Sequence, residues 1–434
     1  MRVFFLVSHQ GAFMSEQPTD FAALLGIDWA DRKHDICLHI PGKTAFERGV
    51  IEHRPAALRA WAAALRERFG GRPIAVAVEM SRGPIVSALL EHPIFVIFPV
   101  NPVTLAKYRR AFTPSGAKDD PTDAQIAVEL LIRHRDKLTP LRQESANMRM
   151  LQRLVERRRG FVHDRVRITN RMIASLKEYF PQVVEWFGHK DTAVFADFLE
   201  RWPTLPSAQR VTDKTLLAFF HAHHVVRPSA IQRRIEAIRT EVPLTTDPAV
   251  IVPAKLTVEL LLPQLRAVTE AVQRLDEEIQ TLCVQFADYD LFRHLPGAGP
   301  VFSSRLLAAF GEMRDRFADA AALQRYAGVA PVTERSGKKN WVHWRYASST
   351  FVRQTFVEWS AESLTKSFWA RQFYDQHRAK GASRNATLRA LAFKWIRILF
   401  RCWVSGRPYD ESTYLSALQK RHAPLLQFAA KAES

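Results

Sequence analysis

Strand-like and helix-like hydrophobic periods alternate along the first third of the chain. Three short apolar runs separated by turn residues predict a meander of strands, and a helix-period stretch closed by Gly70-Gly71 follows them. Two further apolar runs then alternate with helix-period segments, as in a sheet with crossover helices. The predicted strands are 24–29, 34–40, 44–50, 74–79 and 94–100, and the predicted helices are 55–69, 84–91, 102–110 and 120–134.

A meander followed by alternating helices and strands is the element order of the ribonuclease H-like fold. In that fold an acid on the first strand lies centrally, beside an acid that ends the fourth strand. A late helix brings its own acids to the same place. We therefore predict an α/β domain of this class in the first third of the chain.

The middle of the chain changes to a heptad pattern. Apolar positions recur at steps of three and four between residues 151 and 180, including Val166, and again between 258 and 286. We interpret these stretches as two long helices that pair in an antiparallel coiled coil. The predicted organisation is a flexible N-terminus at 1–20, an α/β domain at 21–142, a coiled coil at 143–287 with an inserted tip at 181–255, a mostly helical domain at 288–410 and a tail at 411–434.

The charge of the chain indicates its partners. It contains 62 Lys and Arg against 44 Asp and Glu, a formal net charge of +18, which is typical of proteins that neutralise phosphate groups. The alternatives are a basic but solvated surface and docking on anionic lipid. Cys37, Cys283 and Cys402 are scattered, so neither a disulfide framework nor a zinc site is expected, and a reducing compartment is.

The first residues and the hydropathy of the chain bear on its location. The opening segment has one positive charge and no convincing cleavage site, so no signal peptide is expected, and Met14 competes with Met1 as the start. No uninterrupted apolar run reaches the ~18 residues of a membrane span. We expect a cytoplasmic, nucleoid-associated protein without membrane contact.

Four carboxylates in the α/β region are spaced as in a two-metal nuclease. Asp28 and Glu79 end two buried apolar runs, while Asp120 and Asp123 stand three residues apart at a helix start, on one helix face. Charged acids at the ends of buried strands need a compensating cation, and a pair of Mg²⁺ ions acting on a phosphate would provide it. Asp119 competes with Asp120 as the third ligand, and helix-capping or surface acids are the alternative for the helical pair.

A second group of reactive residues lies in the predicted C-terminal domain. Ser336 precedes Gly337 and the paired Lys338 and Lys339, and aromatic and basic residues continue to Arg345. In an exposed turn the lysines would stabilise charge during attack on a phosphate, and the aromatics would stack on bases. An ordinary hairpin turn is the alternative interpretation.

Further residues favour contact with a nucleic-acid backbone. Arginines outside the apolar seam of the first long helix form a phosphate track in our interpretation, and a solvated face is the alternative. Gly297 and Gly299 are typical of a helix-hairpin-helix turn, although a plain helix–helix turn fits them as well. The candidate nucleic-acid-binding residues are Arg149, Arg153, Arg157, Arg165, Arg171, Lys338, Lys339 and Arg345.

Five segments together resemble the bacterial insertion-sequence transposases of the IS110 family: LLGIDWADRKHDICL, PIAVAVEM, AKDDPTDAQIAVELL, LPGAGPVFSSRLLAAFG and YAGVAPVTERSGKK. That family combines a DEDD RuvC-like domain with a C-terminal transposase domain. Residue by residue, Asp28, Glu79, Asp120 and Asp123 match its acidic metal-binding tetrad. Ser336 matches the serine that attacks DNA and forms a phosphoserine link.

The chain departs from the family pattern in two places. It has D-P-T-D-A where D-R-x-D-A is usual, and S-S-T-F at 348–351 where the family carries a Gly-Asn pair. The first departure leaves both acids in place. The second concerns DNA contacts beyond Ser336.

The resemblance implies an RNA-guided DNA recombinase. Its expected cofactor is Mg²⁺, as two ions, and its expected partners are double-stranded donor and target DNA and a bridge RNA that pairs with both. A homo-oligomer is also implied, a dimer or a tetramer, in which the serine of one subunit completes the acidic site of another. Rigid helices of about 30 residues span roughly 45 Å, which favours such sharing.

Three other classes of protein are alternatives to a recombinase. A RuvC-like junction-resolving nuclease shares the four acids but has no use for Ser336, and it is the main alternative. Sugar kinases and actin-like ATPases begin with the same strand and acid, but they need glycine-rich phosphate loops that this chain, with 17 glycines, does not supply. A non-catalytic nucleic-acid scaffold would not need the acids.

Overall fold

The structure, a computed structural model, divides the chain into two compact units, Met1–Gln143 (the N-terminal unit) and Glu144–Ser434 (the C-terminal unit). The described residues are 20–112, 120–337, 339–343, 345–346 and 348–422, without the side chains of Phe112 and Asp120. The first unit mixes α and β elements and the second is largely helical, as predicted. Both candidate start residues, Met1 and Met14, lie outside the described residues.

The N-terminal unit is built on one five-stranded sheet. Strands β1–β5 are Ala23–Trp29, Lys33–His39, Phe46–Glu52, Ile74–Val78 and Phe95–Pro99, and helices α1–α4 are Pro55–Arg68, Pro84–Leu89, Pro102–Phe112 and Asp120–His134. The strand order is β3-β2-β1-β4-β5. β1, β2 and β3 pair antiparallel, whereas β1 with β4 and β4 with β5 pair parallel. The third strand begins two residues later than predicted.

The central strands are covered on both faces, which explains their unbroken apolar sequences. On one face Leu25 and Val76 join a cluster with side chains of α1 and α2. On the other face Leu24 and Ala77 pack with α4. Alternation along each strand then assigns Asp28, two residues beyond Gly26, to the face covered by α4.

Gly26 lets α4 lie directly on β1. A Cβ atom at this position would overlap the Ala124 carbonyl oxygen and lie 3.0 Å from the Val128 side chain. Any larger residue would push the helix, and with it Asp123, away from the sheet.

We expect Gly26→Ala to destabilise the protein by about 3 kcal/mol, because overpacking against a helix backbone has no flexible side chain to relax. Gly49→Ala on β3 is the matched control, since its nearest atom is an Ile36 side-chain carbon at 3.4 Å. Thermal unfolding of both variants measures the difference. Equal melting temperatures would show that α4 is not held against Gly26.

The C-terminal unit contains fourteen α-helices and one hairpin among the described residues. They are α5 Ala146–Tyr179, α6 Pro181–Trp186, α7 Ala193–Arg201, α8 Leu205–Gln209, α9 Asp213–Ala222, α10 Pro228–Thr240, α11 Pro248–Cys283, α12 Tyr289–Arg293, α13 Gly299–Phe310, α14 Ala320–Tyr326, β6 Val332–Ser336, β7 Lys339–His343, α15 Thr350–Ser363, α16 Phe368–Ala379, α17 Arg384–Ser405 and α18 Glu411–Lys420.

The two long helices α5 and α11 pack side by side and run antiparallel. Asn147 Nδ2 donates to Gln285 Oε1 at 3.0 Å, and further along Arg158 pairs with Asp276. The predicted seam position Val166 is wrong, because its side chain is 50% exposed while Met172 is fully buried. A straight helix has 3.6 residues per turn, so a strict heptad drifts off the contact line over several turns.

α11 is also the one helix among the described residues that is long and apolar enough to cross a membrane, judged by length and composition. This is weak support for a span, because a helix that packs in a protein core passes the same test. Here Val258, Leu261 and Leu265 of α11 are buried in a cluster with the helices at the tip of the pair.

The remaining helices form two apolar clusters. At the tip, α6 to α10 surround Phe198 and Phe220. In the last part of the unit, Trp359, Trp369 and Trp395 are fully buried, and α18, within the segment predicted as a tail, packs Tyr414 against Trp369 at a ring distance of 5.0 Å.

Candidate functional site

Strand register assigns three acids to one face at one end of the sheet. Asp28 on β1 is the direct antiparallel partner of Asp35 on β2. The last parallel pair of β1 and β4 is Ile27 with Val78, so Glu79 follows the strand in line with Asp28. Opposite residues of paired strands project to the same face. Asp28, Asp35 and Glu79 therefore share the face that α4 covers.

Asp123 comes to this face from the first turn of α4. Its side chain is 5% exposed, and both of its carboxylate oxygens accept from Nη1 of Arg109 on α3, at 2.6 and 2.5 Å. Asp120 is the first residue of α4, and its side chain is not among those described. Asp119 lies outside the described residues.

Asp35 is an acid that the sequence reasoning did not select. Asp35 is only 8% exposed, and it is a charged residue beside the apolar Ile36 and Cys37 on β2. A charged residue inside an alternating strand was the available signal. Its position beside Asp28 adds a second negative charge that needs compensation.

The histidine next to Asp35 does not supply that compensation. His34 is fully buried on the opposite face, accepts from the Ala30 amide at 3.3 Å through Nδ1, and lies 2.9 Å from His53 Nδ1 through Nε2. Burial, together with the nearby His53, lowers the pKa of His34 and favours its neutral form.

The acids offer only carboxylate oxygens, the donors that Mg²⁺ prefers. Among the residues the structure describes, no three Asp, Glu, His or Cys side chains lie close enough to form a metal site. Asp123 has both oxygens occupied by Arg109, and the Asp120 side chain is outside that set. The donor chemistry thus fits a divalent ion, provided that Asp123 is released.

Ser336 lies at the end of an exposed hairpin. It closes β6 and pairs with Lys339, which opens β7. Gly337 between them has φ of 56°, a left-handed conformation that suits the two-residue turn of a hairpin. Ser336 and Lys339 are exposed, as is Trp341 on the same hairpin, at 45%. Lys338 lies outside the described residues.

The S-S-T-F segment after the hairpin anchors the start of α15. Ser349 caps the helix by accepting from the Val352 amide at 3.4 Å. Arg353 Nη1 donates to Ser348 Oγ at 3.3 Å and to the Arg345 carbonyl at 3.5 Å. Arg345 itself is half-buried, and its Nε is buried without a hydrogen-bond partner in the described part of the chain.

The arginines of α5 fall into two groups. Arg149, Arg153, Arg157 and Arg171 are exposed, whereas Arg165 is half-buried and pairs with Asp191 at 3.4 Å. Four of the five predicted track residues are thus open to solvent.

The buried Arg305 and the half-buried Arg159 of α5 serve packing in the same unit. Arg305 is 4% exposed and donates from Nη1 to Glu358 Oε2 at 2.9 Å, and Arg159 donates to the other oxygen of Glu358. Gly297 of the predicted helix-hairpin-helix turn also has a packing role. A Cβ there would lie 2.6 Å from the Glu362 carbonyl oxygen.

Comparison with known families places both regions in transposases. The profile of the DEDD transposase domain of IS110 elements matches residues 25–181. The profile described as the transposase IS116/IS110/IS902 family matches residues 289–375. The first match contains all four predicted acids, and the second contains Ser336.

Individual relatives extend over more of the chain. The mini-circle putative transposase for IS117 of Streptomyces coelicolor is 30% identical over 413 residues, which cover 93% of this chain and 98% of that protein. The uncharacterized 44.8 kDa protein of insertion element IS116 from Streptomyces clavuligerus is 25% identical over 87% of this chain and 93% of its own length. A putative transposase, y4uE, of Sinorhizobium fredii is 29% identical over 50% of this chain and 60% of its own.

Proposed function

The chain belongs to the IS110 family of insertion-sequence transposases, and from this we propose that it cuts and rejoins DNA strands with an acidic metal site and a serine nucleophile. The observation that carries the proposal is the strand register that puts Asp28 and Glu79 on the face where α4 brings Asp123.

We assign the N-terminal unit to the ribonuclease H-like, RuvC-like class. The support is the sheet order β3-β2-β1-β4-β5, with an antiparallel meander followed by parallel strands and α4 across the centre. We propose the predicted functional division, with acids in 21–142, paired helices in 143–287 and the serine in 288–410.

The proposed cofactor is Mg²⁺, as two ions. A DEDD transposase domain is in general a sign of divalent-metal use. Asp28, Glu79, Asp120 and Asp123 would hold the ions, whose positive charge would offset the charge that builds up on the phosphate. Asp35 stays beside them as an additional negative charge.

Ser336 is the proposed nucleophile. Its Oγ attacks phosphorus, a serine oxygen–phosphorus bond forms, and the bond from phosphorus to a deoxyribose oxygen breaks. The hydroxyl proton leaves to water, and the departing deoxyribose oxygen takes up a proton. The exposed position of Ser336 beside Lys339 supports this role, because attack requires access and a cation to stabilise developing charge.

The proposed partners are double-stranded donor and target DNA and a guide RNA, bound by a homo-oligomer. The support for nucleic-acid binding is the net charge of +18 and the exposed arginines of α5, and the oligomer is proposed from the family resemblance. Base pairing with the RNA would then supply sequence specificity, while the protein contacts backbone and shape.

The test of the proposed function is a covalent adduct. Purified protein is incubated with Mg²⁺, guide RNA and DNA carrying the element's ends, and the products are denatured before electrophoresis. We expect protein-linked DNA that a protease removes. Cleaved DNA without any linked protein would instead support a junction-resolving nuclease.

Removing the exposed arginines of α5 should flatten the salt dependence of nucleic-acid binding. Each of Arg149→Gln, Arg153→Gln and Arg157→Gln is expected to reduce the slope of log affinity against log salt by about 0.9, the loss of one phosphate contact. Arg165→Gln is the matched control, because Arg165 lies on the same helix but is half-buried, whereas the other three arginines are exposed. Equal slopes for all four variants and the wild type would show that α5 is not part of the nucleic-acid-binding surface.

A further inference from the structure

Arg109 on α3 neutralises one carboxylate of the acidic site, that of Asp123. A single nitrogen, Nη1, lies within 2.6 Å of both oxygens of Asp123. The two side chains are only 16% and 5% exposed. A divalent ion bound by Asp123 needs the same oxygens, so the arginine and the metal compete for one ligand.

One further donor of the Arg109 side chain is unsatisfied. Its Nε is buried and has no hydrogen-bond partner among the described residues. A guanidinium has five donors in a planar fork that matches two oxygens of a carboxylate or phosphate side by side. The contact with Asp123 uses Nη1 alone, so it is not the paired geometry of that fork.

We infer that Arg109 is a placeholder cation: it competes with a divalent ion for the oxygens of Asp123, and it would turn to the phosphate being cut where a divalent ion holds Asp123. The inference rests on the proposed function, since it needs the acids to bind metal. It adds a residue of α3 that lies outside the acidic tetrad and the serine motif.

The exchange follows from charge. Without a cation, the ionised and largely buried Asp123 would be destabilised beside the other acids. A divalent ion would bring twice the charge of the arginine and would neutralise several acids together, so the acids would hold it in preference to Arg109. The released guanidinium remains next to the site, where the incoming phosphate supplies the paired oxygens that it lacks.

The test separates metal binding from cleavage. Mn²⁺ is titrated into DNA-free protein and followed by electron paramagnetic resonance, and DNA cleavage is measured at saturating metal. For Arg109→Gln we expect metal binding tighter by at least about tenfold, because a competing charge at close range is gone. We also expect cleavage slower by about 100-fold, as when one phosphate-stabilising donor is lost.

Three further variants serve as controls for the effect of Arg109→Gln. Arg110→Gln removes a charge from an exposed neighbour on α3 and should leave both measurements at wild-type values. Arg109→Lys keeps the charge and should bind metal as the wild type does. In the Asp123→Asn background, Arg109→Gln should no longer tighten binding. Melting temperatures measured without metal confirm that each variant is folded.

Weaker or unchanged metal binding in folded Arg109→Gln would overturn the placeholder role, and unchanged cleavage would overturn the transfer to phosphate. Failure of the proposed function has a different signature. In that case the wild type and Asp28→Asn would bind Mn²⁺ equally, whatever stands at position 109.

Discussion

Asp28→Asn and Glu79→Gln should each slow DNA strand cleavage by about 10³-fold while leaving the fold and DNA binding intact. Each amide keeps the shape of the acid but removes the charge that would hold the metal, and loss of several kcal/mol of transition-state stabilisation gives an effect of about this size. Both side chains are half-buried at the carboxyl ends of β1 and β4, outside the apolar clusters. The measurement is cleavage of labelled DNA in Mg²⁺, with binding followed by gel shift.

The control is Glu67→Gln on the exposed part of α1, which removes one negative charge from the same unit and should cleave normally. Asp119→Asn and Asp120→Asn are made separately, and we expect only the second to lose activity. Full cleavage by Asp28→Asn would contradict the acidic site as a whole. Full cleavage by Asp120→Asn with none by Asp119→Asn would identify Asp119, and not Asp120, as the third metal ligand.

Asp123→Asn needs a separate interpretation, because this acid also holds Arg109. Breaking a largely buried ion pair from one side costs about 3–5 kcal/mol. Loss of cleavage in this variant is therefore attributed to the site only where thermal unfolding shows a folded protein at the assay temperature.

Much of the N-terminal unit follows from its sequence, because β1 and β4 are buried on both faces and their composition is strongly apolar. The prediction was least accurate for the third strand, Phe46–Glu52, which is largely exposed and has a weak alternation. The heptad seam failed at Val166 for a related reason. Periodicity predicts which residues face a partner over a few turns of a helix. Over the full length of α5, the elements packed against the helix determine which residues are buried.

The site was predictable to the extent that it depends on strand order. Acids at the ends of β1 and β4 come together in any sheet in which these strands are neighbours, as they are here. Asp35 depends instead on the register of β1 and β2, which places it opposite Asp28. No local pattern specifies that pairing.

The Arg109–Asp123 contact is an example of what sequence reasoning cannot supply. The two residues belong to different helices, α3 and α4, and their meeting depends on how both helices pack in the N-terminal unit. The arginine is one of many in a basic chain, so its type carries no signal. The role of Gly26 likewise cannot be predicted from the sequence, because it depends on the position of α4 against β1.

Ser336→Ala should abolish the covalent protein–DNA adduct, by at least about 10⁴-fold, since no other group replaces a missing nucleophile. DNA and RNA binding should persist, because Ser336 is exposed at the end of a hairpin and its loss leaves no cavity. Thr333→Val is the matched control. It removes a hydroxyl from β6 at an odd spacing from Ser336, hence on the other face of the strand, and should form the adduct normally. An adduct from Ser336→Ala would refute the nucleophile.

Mixed oligomers test whether acids and serine come from different subunits. Ser336 belongs to the C-terminal unit and the acids to the N-terminal unit, so one active centre can draw on two chains. Ser336→Ala and Asp28→Asn proteins are each expected to be inactive alone. Co-expressed with different tags and purified through both, they should recover part of the recombination activity, because some centres then combine an intact serine with intact acids. A doubly substituted chain mixed with Ser336→Ala is the control and should stay inactive. No recovery in oligomers shown to contain both chains would mean that each subunit uses its own serine.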